Sequence, residues 1–309
     1  MLRTTGWHGI PHASSRYIEI LKRQNQHLRP PTNVPTIKTN LQSFLRKVGL
    51  YQRLKASRVY DFYWRLADPS LLADRQREIS FYRDLLRGFQ PGDLIFDIGA
   101  NHGSKTGVFL TLGARVIAVE PDPTNQGLLR EMFLKYRIAP KPVVIVGKAV
   151  SDVAGIEKMF IDEPGSAKNS LSQKWVESLR SDADRFGHKL AFKETREVET
   201  TTLESLIETY GRPFFVKIDV EGHEPSVLRG LRRTVPFVSF EVNLPEFRQE
   251  ARQCIDLLAG QSSEGSFNYS GDCVRGLALA EWLPAAAFLQ ELEKCEDPSI
   301  EIFWRTPQR

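Results

Sequence analysis

Short apolar runs alternate along residues 91–309 with stretches in which apolar residues recur every three or four positions. The runs predict strands, and the periodic stretches predict helices with one buried face. The predicted strands lie at 94–98, 115–119, 143–146 (continuing towards 150), 156–161, 214–220, 236–242, 267–270 and 300–304. The predicted helices lie at 104–112, 125–136, 203–208, 224–231, 247–258 and 285–292. Such alternation is typical of a parallel sheet covered on both faces, so the pattern predicts a doubly wound α/β domain.

Residues 162–198 interrupt this alternation, because they are polar and only weakly periodic. A compact domain seldom contains so long a connection unless the connection serves a function. We therefore predict that residues 162–198 form an insertion that acts as a lid or a substrate loop.

The pattern is different before residue 91. Residues 1–40 contain four prolines and few apolar repeats, which predicts a largely irregular basic tail. Residues 41–90 place aromatic and aliphatic side chains at helical intervals between arginines and lysines. This spacing predicts amphipathic helices, the last of them over about 71–86, that precede the α/β domain of residues 91–309.

The formal net charge of +4 conceals an uneven distribution. Residues 1–60 hold eleven lysines and arginines and one acidic residue, whereas the rest of the chain holds 31 basic and 37 acidic residues. A basic segment can contact nucleic acid, an anionic membrane or an acidic partner, or it can remain solvated. The absence of a recognisable binding module disfavours a nucleic-acid partner. The aromatic and basic residues 41–67 suit a peripheral contact with a membrane surface.

Composition narrows the class of protein further. No stretch approaches the roughly 20 apolar residues of a membrane span, and the first residues lack the apolar core of a secretory signal. Cys254, Cys273 and Cys295 stand about twenty residues apart, with no C-x-x-C pair. That spacing predicts neither a disulfide framework nor a zinc site. We expect a cytoplasmic protein that is at most peripheral to a membrane.

The turn after the first predicted strand carries the first candidate chemistry, because ligands of open α/β sheets bind outside the carboxyl ends of the strands. The turn reads Asp97-x-Gly99-x-x-x-Gly103. Gly99 permits a sharp turn, and Gly103 lets the next helix begin close to a ligand. Glu120 ends the second strand, where a carboxylate can accept hydrogen bonds from both hydroxyls of a ribose. Together these residues predict a nucleoside-type cofactor.

The spacing of the glycines distinguishes two such cofactors. A dinucleotide site needs G-x-G-x-x-G so that backbone N–H groups hold a pyrophosphate, and this chain lacks that spacing. Asp97 would repel phosphates, whereas it suits the ammonium group of a methionine moiety, directly or through water. These residues favour S-adenosylmethionine over a nicotinamide dinucleotide. The alternative is a strand–helix turn whose glycines serve packing alone.

A second unusual run follows the strand predicted at 214–220. Lys217, Asp219 and Glu221 alternate onto one side of the extended chain, and His223 comes two residues later. Charges at the end of a buried strand are costly unless they face a cleft or pair with one another. The imidazole of His223, helped by Asp219 or Glu221, can remove a proton from an acceptor hydroxyl near neutral pH.

Structural roles are the alternatives for the same residues. His223 can serve as a helix-start residue, and the two carboxylates can pair with Lys217 or cap a helix. Two carboxylates two positions apart do not demand a divalent cation, so we expect no metal.

Four sequence runs occur in an order that is shared with a known family. They are 96–103 (FDIGANHG), 118–121 (AVEP), 149–152 (AVSD) and 217–222 (KIDVEG). Shorter matches fall at 113–114, 202–203 and 240–241. On these runs, over about residues 80–245, the chain resembles the FkbM family of S-adenosylmethionine-dependent methyltransferases.

The resemblance implies a class I methyltransferase (Rossmann-like) fold, with a seven-stranded sheet whose last strand is antiparallel. It also implies O-methylation, often of sugar or secondary-metabolite hydroxyls, so that the acceptor is a small molecule or a glycan. By position, the methionine end would be lined by Asp97, Gly99, Asn101 and Gly103, the ribose by Glu120, and the adenine by Ser151 or Asp152. The choice of acceptor is expected to reside in residues 1–70 and 162–198.

Three other functions stay open at this point. A nicotinamide oxidoreductase is disfavoured by the missing pyrophosphate glycines. A non-catalytic cofactor-binding or scaffolding protein would carry the same motifs. A nucleic-acid methyltransferase would use the basic residues 1–60.

Overall fold

The computed structural model describes residues 69–134, 142–181 and 192–307. The tail predicted at 1–40, the helices predicted before residue 69 and the membrane contact predicted at 41–67 lie outside the described residues. The last helix of the predicted N-terminal extension is present as α1, Pro69–Leu85.

Eight of the ten strands in the described residues begin and end close to the predicted positions, and those at 149–150 and 194–201 were not predicted. Their bounds are β1 Leu94–Ile98, β2 Arg115–Val119, β3 Val143–Val146, β4 Ala149–Val150, β5 Gly155–Ile161, β6 Glu194–Thr201, β7 Phe215–Ile218, β8 Phe237–Asn243, β9 Ser266–Ser270 and β10 Ser299–Arg305.

The helices between them follow the predicted order, with one unpredicted helix at 173–181. Their bounds are α2 Ser104–Thr111, α3 Pro123–Leu129, α4 Gln173–Ser181, α5 Leu203–Tyr210, α6 Glu224–Arg229, α7 Arg248–Gln261 and α8 Ala285–Glu293. A π-helical turn, Arg130–Leu134, continues α3 where the sequence predicts one longer helix. Within the described part of the chain, no helix has both the length and the apolar character needed to cross a bilayer.

One sheet contains seven of the strands, in the order β3-β2-β1-β7-β8-β10-β9. The strands from β3 to β8 in this order pair in parallel, and β10, the last in the chain, is antiparallel to both of its neighbours. Every residue of β1 and β7 is buried, as expected of strands covered on both faces. The chain changes direction across the sheet between β1 and β7, and a crevice forms at such a point. The predicted doubly wound α/β fold with an antiparallel last strand is confirmed.

The predicted continuation of the third strand towards residue 150 is wrong. β4 leaves the main sheet and pairs in parallel with β6, which pairs antiparallel with β5 to form a second sheet of three strands. Ala149 and Val150 are both buried. Because a buried strand is apolar in either sheet, the sequence pattern could not distinguish the two partners.

The predicted insertion at 162–198 is more regular than its polar composition indicates. It contains α4 and the first half of β6, while residues 182–191 lie outside the described range. α4 buries Trp175, Val176 and Leu179 in the main core although most of its residues are polar. A single apolar stripe of this kind disappears when hydrophobicity is averaged along a segment.

Side-chain alternation along the strands divides the core between the two faces of the sheet. On one face, Phe96, Val216 and Phe240 pack with residues of α4, α5, α6, α7 and α8. On the other face, Ile95 and Phe215 pack with residues of α1 and α2.

Candidate functional site

The loop after β1 lies directly against the loop after β7. Gly99 has φ of +78°, and a Cβ added to it would stand 1.8 Å from the carbonyl oxygen of Asp219. A side chain therefore does not fit at Gly99. The space beside Gly103, with φ of +82°, is filled by the side chains of Leu129 and Phe133. The glycine at 103 thus lets α2 pack closely on α3 and the π-helical turn after it.

Glu120 lies at the carboxyl end of β2, with 6% of its surface exposed. Its Oε2 accepts the N–H of Asn101 at 2.8 Å, and its Oε1 accepts the N–H of Asp122 at 2.7 Å. Burial raises the pKa of this carboxyl to about 7, even though the two N–H donors favour its charged form. Each oxygen retains a lone pair, so the group can accept further hydrogen bonds from two neighbouring hydroxyls.

Asn101 completes the loop after β1 in a left-handed conformation, with φ of +48°. Its side-chain Oδ1 is buried and has no hydrogen-bond partner among the described residues. A buried acceptor without a partner is costly, and a ligand donor can satisfy it. Asn101 and Glu120 therefore present a pair of acceptors at the switch point between β1 and β7.

Asp97 lies below this loop rather than on its surface. It is 1% exposed and accepts a hydrogen bond from Thr106 Oγ1 at 2.5 Å. Burial raises its pKa, while the nearby ammonium of Lys217 and the bond from Thr106 oppose that rise. The carboxylate thus connects the end of β1 to α2 and to the strand beside it.

Lys217 is the buried cation at the end of β7, with 1% of its surface exposed. Its Nζ donates to Asp219 Oδ2 at 2.8 Å, and the side chain of Asp219 is 29% exposed. Burial alone would lower the pKa of Lys217, but Asp219, Glu301 and Glu241 raise it well above the usual value. The ammonium is therefore charged at neutral pH and holds the carboxylate of Asp219 just after the end of β7.

Other carboxyl groups surround this ion pair. Burial raises the pKa of Glu221 well above its usual value, and Asp219 and Glu241 raise it further. Burial and the charge of Asp219 raise the pKa of Glu241 to about 8. Glu221 and Glu241 are thus two carboxyl groups of raised pKa near the Lys217–Asp219 ion pair.

Glu224, the first residue of α6, organises the turn that carries these groups. Its Oε1 accepts the N–H of Val220 at 3.2 Å and of Gly222 at 3.1 Å, and burial raises its pKa to about 7. We did not predict this role. The signal was a glutamate in the first turn of a helix after a glycine, a position where carboxylates often accept backbone N–H groups.

His223 faces a different set of residues. Its Nε2 lies 3.1 Å from Ser151 Oγ, and this hydroxyl donates to Asp152 Oδ1 at 3.3 Å. Arg229 pairs with Asp152 at 3.7 Å. Burial lowers the pKa of His223, so its imidazole is neutral near pH 7. A neutral imidazole is the form that accepts a proton.

The predicted site residues therefore form two groups. One group, at the loops after β1, β2 and β7, consists of Asp97, Gly99, Asn101, Gly103, Glu120, Asp219 and Glu221. The other, where the second sheet meets the start of α6, consists of Ser151, Asp152 and His223. The turn from Asp219 to His223 connects them. Among the described residues, no group of three or more histidine, cysteine, aspartate or glutamate side chains is arranged to hold a metal ion.

Comparison with known proteins finds a matching family and a related sequence. The sequence profile described as the methyltransferase FkbM domain matches residues 97–269, which is more than half of the chain. The hexuronic acid methyltransferase AglP of Haloferax volcanii is 27% identical over 173 residues, which are 55% of this chain and 63% of that protein. This chain therefore spans less than two thirds of that relative.

Two solved structures show weaker similarity. The methyltransferase FkbM of Methylobacillus flagellatus KT is 14% identical with a TM-score of 0.46, over 74% of this chain and 47% of that one. The precorrin-6y C5,15-methyltransferase of Geobacter metallireducens GS-15 is 12% identical with a TM-score of 0.38, over 75% of this chain and 86% of that one.

Proposed function

Because the chain belongs to the FkbM methyltransferase family, as its motifs predicted, we propose that it transfers a methyl group from S-adenosylmethionine to a hydroxyl group. The acceptor is a sugar, a glycan or a secondary metabolite. The observation that carries the proposal is Glu120, buried at the carboxyl end of β2 with both oxygens oriented by backbone N–H groups of the loops beside it.

The residues at the switch point fit this cofactor. Glu120 would hold the ribose hydroxyls, and the unpartnered Asn101 Oδ1 offers an acceptor for a ligand N–H or O–H group. Gly99 would form the methionine side of the site with Asp97 behind the loop, while Gly103 would let α2 begin against Leu129 and Phe133. Ser151 or Asp152 would approach the adenine. The sulfonium of S-adenosylmethionine supplies an activated methyl group, so the protein needs only to align the acceptor and remove its proton.

We assign proton removal to His223, assisted by Asp219 or Glu221. The pKa of His223 is lowered by burial, which keeps the imidazole able to accept a proton at neutral pH. No metal ion is required for these steps.

The name of the relative AglP supports a sugar acceptor for this chain, because that protein is a hexuronic acid methyltransferase. The free and buried thiols of Cys254, Cys273 and Cys295 support a reducing compartment, and we propose the cytoplasm. A peripheral membrane contact through residues 41–67 stays a proposal.

The experiment uses the full chain with S-adenosylmethionine that carries a tritiated methyl group, incubated with small molecules and glycans extracted from the source cells. We expect label in an acceptor whose mass rises by one methylene unit, and no label with Glu120→Ala. Label transfer that is absent with every fraction, despite measurable cofactor binding, would contradict catalysis and favour a binding protein.

A further inference from the structure

A short loop connects the two sides of the candidate cleft. The loop comprises residues 161–170 and is called the bridging loop here. Phe160 and Ser170 close its base, because Phe160 N–H donates to Ser170 O at 2.8 Å and Ser170 N–H donates to Phe160 O at 3.3 Å. Inside it, Asp162 N–H donates to Asn169 Oδ1 at 2.9 Å. The loop is therefore a formed structure with its own hydrogen bonds.

Asp122 anchors the loop on the side of β2. This residue is 1% exposed, and its Oδ2 accepts the N–H of Gly165 at 2.9 Å and the Nδ2–H of Asn169 at 3.0 Å. Its Oδ1 accepts the N–H of Thr124 and so caps α3. The N–H of Asp122 donates to Oε1 of Glu120, so one residue connects the candidate ribose carboxylate to the loop.

Ser170 anchors the loop on the side of β7. It is 2% exposed, and its Oγ donates to the carbonyl oxygen of Glu221 at 2.8 Å and lies 3.2 Å from that of Val220. These carbonyls belong to the turn between Asp219 and His223. The hydroxyl of Ser170 thus holds the turn on which the candidate catalytic groups stand.

Adjacent residues, Asn169 and Ser170, therefore contact the loops after β2 and after β7. β1 lies between those two strands, so the outer strands stand roughly 10 Å apart at the usual strand spacing. The peptide between Asn169 and Ser170 therefore runs from the side of β2 to the side of β7, past β1. The loop at 99–103 follows β1 at the same edge of the sheet.

We propose that Asp122 and Ser170 are positioning residues that hold the bridging loop across the nucleoside site. Asp122 orients Glu120 for the cofactor, and Ser170 orients the turn that carries Asp219, Glu221 and His223. This inference rests on the proposed function, because it assigns the two residues to binding and turnover at that same site. It predicts that loss of the Asp122 anchor raises the Kd for S-adenosylmethionine, whereas loss of the Ser170 anchor lowers kcat.

Exchange of the two partners tests the first anchor. Asn169→Asp alone places two carboxylates at hydrogen-bond distance, and Asp122→Asn alone removes the charged acceptor while an Asn still caps α3. We expect each to weaken S-adenosylmethionine binding on the order of tenfold, as for loss of a charge-assisted hydrogen bond. The double variant restores a carboxylate–amide pair between the two positions and should recover part of the affinity. Recovery is incomplete because the N–H of Gly165 and the carbonyl oxygen of Glu163, which now bond to Asp122 Oδ2 and Asn169 Nδ2, lose those partners. Asp162→Asn, a matched change in the same loop, should bind as the unchanged protein does.

The second anchor is tested by Ser170→Ala. We expect kcat to fall on the order of tenfold while the Kd for S-adenosylmethionine stays within about twofold, because the hydroxyl acts on the turn rather than on the ribose carboxylate. A raised Kd with unchanged kcat would contradict this assignment. Single variants at Asp122 and Asn169 that bind S-adenosylmethionine as tightly as the unchanged protein, or a double variant that binds more weakly than both, would overturn the first anchor.

Hydrogen exchange of the unliganded protein separates this inference from the proposed function. The N–H of Gly165 should exchange faster in Asp122→Asn than in the unchanged chain, whether or not methyl transfer occurs. Exchange that is equal in the two proteins would refute the anchor even if the enzyme is active. The unchanged protein could fail to bind S-adenosylmethionine while Gly165 still exchanges faster in the Asp122→Asn variant. That result would refute the proposed function and the role of Asp122 in binding, but the anchor itself would be established.

Discussion

Replacement of Lys217 by methionine is expected to destabilise the fold strongly and in a pH-dependent way. Lys217 is 1% exposed, its Nζ stands 2.8 Å from Asp219, and the charges of Glu301, Glu241 and Asp97 also act on it. Methionine keeps the length of the side chain but removes the charge.

The magnitude follows from what the substitution leaves behind. Removal of one partner of a buried ion pair costs about 3–5 kcal/mol, because the other charge stays buried without compensation. Asp219 is 29% exposed, so water solvates part of its charge and the lower end of that range is expected, about 3 kcal/mol. Glu301, which is 7% exposed, has no comparable access to water.

The stability lost on replacement of Lys217 should depend on pH through the carboxyl group of Glu301. Burial alone would raise the pKa of Glu301, but Lys217 and Lys105 lower it below its usual value. A depressed carboxyl pKa stabilises the fold above the pKa of the unfolded chain, and this contribution is lost as pH falls through the folded value. Methionine at 217 removes part of that contribution, so the deficit should be largest near pH 7.5 and smaller below about pH 4.

Urea unfolding at pH 7.5 and at about pH 4 measures the loss in the free energy of unfolding, with Lys294→Met as the control. Lys294 is 69% exposed and pairs with Glu291 at 2.7 Å, so its replacement should change the free energy of unfolding by less than about 1 kcal/mol. A loss below about 1 kcal/mol for Lys217→Met at pH 7.5, or the same loss at both pH values, would refute this account of the cluster.

Three further predictions concern the candidate site. Glu120→Ala should weaken S-adenosylmethionine binding at least tenfold by calorimetry, because each ribose hydroxyl loses its charged acceptor; an unchanged Kd would remove Glu120 from the ribose. His223→Ala should lower kcat about a hundredfold with the Kd for S-adenosylmethionine unchanged. In the unchanged protein, kcat should fall on the acid side at a pH below the usual histidine pKa, because burial lowers the pKa of His223. Equal turnover of the two proteins at every pH tested would exclude His223 as the base. Gly99→Ala should reduce stability by several kcal/mol in thermal unfolding, because the added Cβ would stand 1.8 Å from the carbonyl oxygen of Asp219. The control is Gly260→Ala, since nothing lies within 4 Å of a Cβ added at Gly260.

The sequence predicted those parts of the fold that depend on local periodicity. The bounds of β1 and β2 agree with the prediction to the residue, because each is an apolar run between polar turns. The second sheet was missed because β6 is mostly polar and finds its partners, β4 and β5, across intervening segments. Propensity does not encode which distant strand a segment will join.

The same limit applies to the site. The residues at the ends of β1 and β2 could be assigned from spacing, because the carboxyl edge of a parallel sheet brings them together. The contact between His223 and Ser151 could not, since it joins residues 72 positions apart through a strand that leaves the main sheet. Asp122 and Ser170 were missed because aspartate and serine are common in turns and their partners lie on other loops.

The sheet includes a strand, β10, that lies outside the part of the chain matched by the family model. The family match ends at residue 269, yet β10, Ser299–Arg305, lies inside the sheet between β8 and β9, and Ile302 and Trp304 are fully buried. Tyr82 of α1, also fully buried, precedes the match and bonds to Glu301. A recombinant fragment trimmed to the matched residues 97–269 would open the sheet and expose an unpaired strand edge, which favours aggregation. Expression boundaries should therefore begin before residue 69 and end after residue 305.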